Sequence, residues 1–148
     1  MNKLHFYYLF FPLLISQINS VEAHLLGAEQ RGKASFYAKK FQGRLTSCGE
    51  KFNHKELTAA HRSLPFHTMV EITNLANKKS IIVRINDRGP YNRGRLIDLT
   101  NFGAKKLGFL HSGVANVKMR IVGMEGMVLL GSNELITDTG DIIEKILK

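Results

Sequence analysis

The sequence predicts a mainly β protein in which many short strands close into a barrel, with one or two short helices and long loops. Two runs carry most of this prediction: Met69–Thr73 and Ser80–Ile85 are rich in β-branched residues. A third stretch, Val114–Val122, alternates apolar residues with Asn, Lys and Arg, which is typical of a half-buried strand. Thirteen glycines and three prolines supply the turns between such short elements. This pattern favours a closed, mostly β barrel.

Weaker signals predict the remaining elements of the barrel. Ala34–Tyr37 is expected to be the first strand, and Arg95–Leu99 a brief later one. Thr100 can cap a helix over Asn101–Leu107, which Gly108 would end.

Three further expectations rest on local composition alone. Leu57–His61 is expected to form a short helical turn before Pro65. Met127–Leu130 and Glu134–Ile136 are expected to form a hairpin around Gly131-Ser132-Asn133, and Asp141–Leu147 a terminal helix.

The N-terminus has the pattern of a secretory signal peptide. Lys3 precedes an apolar run over Leu4–Ile15, and Val21-Glu22-Ala23 offers a small-residue cleavage site. The alternative is a retained membrane anchor, but the run is shorter than the roughly 20 residues that a spanning helix needs. We therefore expect export to the periplasm or cell envelope after removal of residues 1–23. No cysteine lies near the cleavage point, so we expect no lipid anchor.

Length and composition predict one soluble domain. The chain has 148 residues, of which 44% are hydrophobic and 22% charged. We expect a short N-terminal segment over residues 24–31, the barrel over 32–123, and a C-terminal extension over 124–148 without a second domain.

The net charge is +9 and stays at that value when residues 1–23 are removed. A basic exported protein is expected to meet anionic lipids, wall polymers or peptidoglycan carboxylates rather than nucleic acid, although a basic surface also serves solubility. Cys48 is the only cysteine and therefore has no intramolecular disulfide partner.

Three carboxylates and one histidine are candidates for chemistry. Glu50 lies in a polar loop, Asp87 in a turn after an apolar strand, and Asp98 between Ile97 and Leu99. Paired carboxylates flanking a glycosidic bond are the usual equipment for cleaving glycans, and His61 could tune them or relay a proton. The plainer alternatives are a turn carboxylate, a solvated loop carboxylate and a core carboxylate bonded to Arg88 or Arg95.

Five ordered motifs resemble the rare lipoprotein A (RlpA-like) family and cover roughly residues 32–122. They are Gly32-Lys33-Ala34-Ser35-Phe36-Tyr37, the loop from Phe41 to Glu50, Leu57 to Phe66, Val83 to Tyr91, and Arg95 to Thr100. Three positions depart from the usual pattern: Phe36 replaces a frequent Trp, Cys48 a small or amide residue, and His67 a usual Gly.

The resemblance implies a six-stranded double-psi β-barrel and a set of site residues. It places Glu50, Asp87 and His61 in the cleft, and the expansin and cellulase relatives on the same barrel add Asp98. Arg84 and Arg88 would pin loops or bind substrate carboxylates. Tyr37 and Tyr91 would stack on sugar rings, unless they are simply buried aromatics.

The function implied by the resemblance is that of an endolytic lytic transglycosylase. It cleaves between N-acetylmuramic acid and N-acetylglucosamine and leaves 1,6-anhydromuramic ends, with Asp87 as acid and base and Glu50 as its partner. This reaction needs no metal and no cofactor. The expected partners are peptidoglycan glycan strands, with cell-division or wall-synthesis proteins as a second class.

Two alternatives to the enzyme remain open from the sequence. One is a non-catalytic glycan-binding or wall-remodelling protein of the expansin kind. The other is a structural envelope protein whose barrel has lost activity.

Overall fold

The structure is a computed structural model that describes residues 25–128, 134–136 and 142–144. The predicted signal peptide lies outside these residues and stays a prediction. Nine strands, one 3-10 turn and one α-helix follow one another along the described chain: β1 Glu29–Phe36, the 3-10 turn Lys39–Phe41, β2 Thr58–Ala60, β3 Thr68–Asn74, β4 Ser80–Asp87, β5 Ile97–Leu99, α1 Asn101–Lys106, β6 Ala115–Met124, β7 Met127–Val128, β8 Glu134–Ile136 and β9 Ile142–Glu144.

Six of these strands close into a barrel. Their order around the ring is β1, β5, β2, β4, β3 and β6, and β6 then pairs with β1. The β1–β5 and β2–β4 pairs are parallel, whereas the other neighbours in the ring are antiparallel. This closed ring confirms the prediction of a six-stranded double-psi barrel.

The core fills the inside of this ring with alternate residues of each strand. Val70 and Ile72 of β3 and Ile81 and Val83 of β4 are fully buried, while residues between them on β3 face outward. On that outer face Glu71 accepts a hydrogen bond from Arg120 Nε at 2.6 Å, across the β3–β6 pair. The two β-branched runs of the sequence therefore form strands β3 and β4, and their inward-facing residues are part of the hydrophobic core.

Helix α1 closes one side of the core in the predicted manner. The Oγ1 atom of Thr100 accepts a hydrogen bond from Gly103 N and donates one to Glu56 O. Gly108 follows the helix with φ +77°, a conformation that glycine adopts without strain. None of the described helices is long and apolar enough to cross a membrane.

The expected helical turn over Leu57–His61 is wrong, because Thr58–Ala60 forms strand β2. Two alanines favour a helix locally, but β2 lies between β4 and β5 and pairs with both. All three of its residues are buried. The small side chains therefore suit a strand that is enclosed on both sides.

The expectations for the C-terminal extension are also wrong. Met127–Val128 pairs with Gly123 and Met124 of β6 rather than with Glu134–Ile136. Glu134–Ile136 instead pairs with β9, which replaces the expected helix at Ile142–Glu144. A Cβ atom at Gly123 would lie 2.0 Å from the Met127 carbonyl oxygen, so this glycine permits the tight return of β7.

Candidate active site

An in-register row of residues crosses the outer face of four adjacent strands. Ser35 of β1 pairs with Asp98 of β5, which pairs with Ala60 of β2, which pairs with Asp87 of β4. Ala59 and Leu99, their chain neighbours, point into the core. The two carboxylates thus flank a small residue, with their α-carbons about 9–10 Å apart, which is two strand spacings.

A β-bulge at Asn86 turns Asp87 toward this outer face. Ala59 pairs with Ile85, but the next residue, Ala60, pairs with Asp87, so Asn86 is the extra residue. Without the bulge, strict alternation would direct Asp87 to the same side as the buried Ile85. Bulges re-aim side chains in this way beside functional sites.

Four hydrogen bonds hold the Asp87 carboxylate. Oδ1 accepts from Ser47 N at 2.8 Å, Ser47 Oγ at 2.7 Å and Arg88 N at 2.8 Å. Oδ2 accepts from the Tyr37 hydroxyl at 2.6 Å. Partial burial alone would raise the pKa of Asp87, but the bonds from Tyr37, Ser47 and Arg88 outweigh it and leave this pKa below its usual value. Asp87 is therefore ionised at neutral pH in the ligand-free protein.

Glu50 is bound to Arg84 on both carboxylate oxygens. Arg84 Nη1 donates to Oε1 at 2.7 Å and Nη2 donates to Oε2 at 2.9 Å, while Asn86 Nδ2 donates to Oε2 at 3.0 Å. The Arg84 bond is the main reason why the pKa of Glu50 falls to about 2. Glu50 therefore ties the loop before it to the bulge in β4.

His61 is a neutral imidazole in this arrangement. Its Nδ1 accepts hydrogen bonds from Ser63 N at 3.3 Å and Leu64 N at 3.1 Å, so the ring proton is on Nε2. Burial, and then the charges of Arg88 and Arg62, lower the pKa of His61. The His61 amide also donates to Asp87 O at 3.2 Å.

Asp98 has its own partners on the row. Ser35 Oγ donates to Oδ1 at 2.6 Å, and Arg95 Nη1 lies 3.5 Å from the same oxygen. Arg95, not Arg88, is thus the arginine that accompanies this carboxylate. Of the predicted carboxylates, Asp87 and Asp98 share one face, while Glu50 lies on the loop that covers the bulge.

The two predicted tyrosines differ in their surroundings. The Tyr37 ring packs on Phe52 at 4.5 Å and on Phe41 at 5.6 Å, and burial followed by the Asp87 bond raises the pKa of its hydroxyl. Tyr91 is 86% exposed and lines a cavity together with Arg88, Gly89 and Pro90, the three residues that follow Asp87. Of the two, only Tyr91 presents an open ring face.

The two predicted arginines are both held by the protein. Arg84 is occupied by Glu50, as described above. Arg88 donates from Nη1 to Leu64 O at 2.9 Å and lies over the Phe66 ring at 3.8 Å. Both pin loops, which is one of the roles that the sequence left open for them.

Several site residues are not among those that the sequence singled out. Ser47 supplies two of the four bonds to Asp87 from 40 positions away, and Ser35 reaches Asp98 from 63 positions away. Arg62 and Arg93 line the cavity with Tyr91. Among the described residues, no group of three or more His, Cys, Asp or Glu side chains is placed to hold a metal ion.

The barrel that carries this site matches a known protein family. The family model described as lytic transglycolase matches residues 29–119, which is most of the barrel. The chain belongs to this RlpA-like family.

Curated relatives of the family are similar over the same region. The probable endolytic peptidoglycan transglycosylase RlpA of Nostoc is 54% identical over 95 residues, which cover 63% of this chain and 26% of that protein. The protein of the same name from Synechocystis is 48% identical over 74% of this chain and 35% of its own length. The endolytic peptidoglycan transglycosylase RlpA of Vibrio cholerae is 46% identical over 67% of this chain and 38% of its own length. The chain thus matches about a quarter to two fifths of these relatives.

Solved structures of other families share the barrel. A Streptomyces papain inhibitor aligns with a TM-score of 0.53 at 22% identity, covering 64% of this chain and 94% of that one. The apo form of the Clavibacter michiganensis expansin aligns with a TM-score of 0.54 at 16% identity, covering 72% and 55%. At these identities the likeness concerns the fold alone.

Proposed function

We propose that this protein is an endolytic peptidoglycan lytic transglycosylase of the cell envelope. Its relatives carry that activity in their names. The observation that carries the proposal for this chain is Asp87, a carboxylate that a bulge turns to the outer face and whose four following residues line a cavity with an exposed tyrosine. Glycan strands are the substrate, and cell-division or wall-synthesis proteins are a further class of partner.

Asp87 is the proposed acid and base. Its Oδ1 is filled by three donors, but Oδ2 accepts only the Tyr37 hydroxyl among the described residues, so Oδ2 retains capacity for a proton. Glu50 has both oxygens engaged by Arg84 and Asn86. Glu50 therefore positions the loop and the bulge, and Asp87 remains for the chemistry.

Substrate binding supplies the conditions for protonation of Asp87. A sugar that covers the cleft removes water from the carboxylate, which raises its pKa and favours uptake of a proton. Protonated Asp87 gives this proton to the glycosidic oxygen as the bond from C1 of N-acetylmuramic acid to that oxygen breaks. An oxocarbenium-like state forms at C1.

The second half of the reaction returns the proton. The C6 hydroxyl of the same muramic acid attacks C1, and its proton passes to the Asp87 carboxylate. A 1,6-anhydro end forms, and no water is consumed. His61 and Asp98 act by holding the chain around Asp87, through the His61 amide and the shared strand row.

Mass spectrometry of the products tests this proposal. Purified sacculi and peptide-free glycan strands are incubated with the protein, and 1,6-anhydromuramic ends are expected. A Glu29→Gln variant, altered at an exposed ion pair with Lys118 on the β1–β6 side, serves as the matched control and should retain the activity.

A non-catalytic glycan-binding function is the second candidate. It is favoured by one observation: both Asp87 and Glu50 are ionised at neutral pH in the ligand-free protein, so neither holds a proton in advance. If the protein sediments with sacculi and no anhydro ends form at any pH between 4 and 8, this candidate replaces the enzyme.

A further inference from the structure

A basic cavity of about 450 Å³ is formed by residues that adjoin Asp87 and His61 in the chain. It is lined by Arg62, Arg88, Gly89, Pro90, Tyr91 and Arg93. Four of these residues follow Asp87 directly in the chain, and Arg62 follows His61, whose amide binds the Asp87 carbonyl. The cavity and the proposed catalytic group are therefore built by the same two chain segments.

Two of the three arginines of this cavity, Arg62 and Arg88, are fixed by carbonyl oxygens rather than by carboxylates. Arg62 donates from Nε to Pro90 O at 2.8 Å and from Nη2 to Asn92 O at 2.6 Å and Arg95 O at 2.9 Å. None of these bonds uses its Nη1. Carbonyl oxygens orient a guanidinium without cancelling its charge, so Arg62 is held in place and still available to an anion.

Arg88 and Arg93 complete the positive lining. Arg88 is fixed by Leu64 O and by the Phe66 ring, again without a carboxylate. Arg93 is exposed, and within the described residues it makes no hydrogen bond or ion pair.

Other arginines of the barrel contrast with this group. Arg84 pairs with Glu50, Arg95 with Asp98 and Arg120 with Glu71. The cavity lining contains no acidic side chain. The positive potential also reaches His61, whose pKa burial lowers first and the Arg88 and Arg62 charges lower further.

We propose that this cavity is a carboxylate-binding subsite for an acidic sugar, in which Arg62 and Arg93 bind the carboxylate and the Tyr91 ring covers the sugar face. The inference rests on the proposed function, because muramic acid is the acidic sugar of the glycan strand. Guanidinium forks match carboxylates in geometry and charge. An exposed tyrosine provides an amphipathic face for a sugar ring.

Two parts of peptidoglycan can supply the carboxylate. One is the lactyl group of a muramic acid without a stem peptide. The other is the stem peptide, whose attachment turns the lactyl carboxylate into an amide but brings carboxylates of its own. Equilibrium binding separates them, since it does not require cleavage.

Calorimetric titration compares two pairs of probes. The first pair is the disaccharide of N-acetylglucosamine and N-acetylmuramic acid and its lactyl methyl ester. The second pair is the same disaccharide with a stem tetrapeptide attached and the form of this disaccharide–peptide in which the peptide carboxyls are amidated. We expect a free carboxylate to improve binding about tenfold over its neutral counterpart in at least one of the two pairs. Arg93→Gln should abolish most of that difference, and Arg93→Lys should keep part of it. Arg31→Gln, which removes the same charge from an exposed position of β1, should leave it unchanged.

The outcomes identify the source of the carboxylate and test whether the subsite exists. An acid preference confined to the peptide-free pair identifies the lactyl group, and one confined to the peptide-bearing pair identifies the stem peptide. Equal binding of acid and neutral probes by the parent protein, or an equal loss for both in Arg93→Gln, overturns the subsite. Product formation without an acid preference rejects the subsite alone. An Arg93-dependent acid preference without any anhydro product rejects the enzyme alone.

Discussion

The Tyr37 hydroxyl offers a direct way to perturb Asp87 without touching the carboxylate. Tyr37→Phe removes the donor that lies 2.6 Å from Asp87 Oδ2. The aromatic ring and its packing on Phe52, 4.5 Å away, are kept. The three bonds to Oδ1 from Ser47 and Arg88 are also kept. The variant therefore deletes one hydrogen bond to an ionised group.

The size of the effect follows from that single bond. A hydrogen bond to a charged group contributes about 1.5–3 kcal/mol, and the partial exposure of Asp87 favours the lower end of this range. We therefore expect the pKa of Asp87 to rise toward its usual value and the free energy of unfolding to fall by about 1–1.5 kcal/mol at neutral pH.

The pH dependence has a defined sign. Because the pKa of Asp87 is lowered in the folded protein, its bonds stabilise the fold above the usual pKa of an aspartate. This contribution is lost as the pH falls through the folded value. The difference in stability between Tyr37→Phe and the parent should therefore shrink as the pH falls below about 4, the usual pKa of an aspartate.

Carbon-13 NMR titration of the Asp87 carboxyl, with thermal melting on the same samples, measures both quantities. Tyr91→Phe is the control, because the Tyr91 hydroxyl makes no hydrogen bond among the described residues. This variant should leave the pKa of Asp87 unchanged. An unchanged Asp87 pKa in Tyr37→Phe would refute the claim that these bonds keep Asp87 ionised.

Three further predictions concern the loop and the N-terminus. Glu50→Gln should cost about 1 kcal/mol of unfolding free energy at neutral pH, since a third of the Glu50 side chain is in contact with solvent that screens its pair with Arg84. Because the pKa of Glu50 is about 2, this cost should vanish as the pH falls from about 4.5 toward 2, as acid melting curves will show. Cys48→Ser should melt within a few degrees of the parent, because its backbone bond to Asn86 O is kept and the one hydrogen bond of its Sγ among the described residues, with Thr46 Oγ1 at 3.4 Å, can be made by a serine hydroxyl. A large loss would show that the thiol packs in the core. N-terminal sequencing of the exported protein should begin near His24, whereas a full-length cytoplasmic chain would contradict the predicted signal peptide.

The elements that could be predicted are those whose pattern is local. The runs of β3 and β4 and the Thr100 cap each specify their structure within a few residues. Strand β2 could not be predicted, because its state is set by pairing with Arg84 and Leu99, far along the chain. Its two alanines alone favour a helix.

The candidate site divides in the same way. Asp87 and Asp98 stand out because a carboxylate next to apolar strand residues needs a reason. The partners Ser47 and Ser35 could not be found, since each is brought in by the closure of the barrel. The bulge at Asn86 likewise exists only in the register of two strands.

His67 shows how a departure from the family pattern is accommodated. The sequence placed it where a glycine is usual, and its φ is +68°, a region that costs a residue with a Cβ roughly 1–2 kcal/mol. Its Nδ1 lies 2.8 Å from Glu125 Oε2, and Glu125 Oε1 lies 3.3 Å from Arg84 Nε. This exposed network offsets part of the backbone cost and extends the Glu50–Arg84 pair.

The central claim is that Asp87 moves the proton in glycan cleavage, and Asp87→Asn tests it most directly. An asparagine oxygen at the Oδ1 position can accept the same three bonds, and its amide can donate to the Tyr37 hydroxyl, so the variant should still fold and bind sacculi. Its free energy of unfolding should fall, because the four bonds are no longer made to a charged group. Anhydromuramic ends, counted by mass spectrometry per folded molecule, should fall by about 10²–10⁴-fold. A folded Asp87→Asn protein that produces these ends at the rate of the parent would contradict the account.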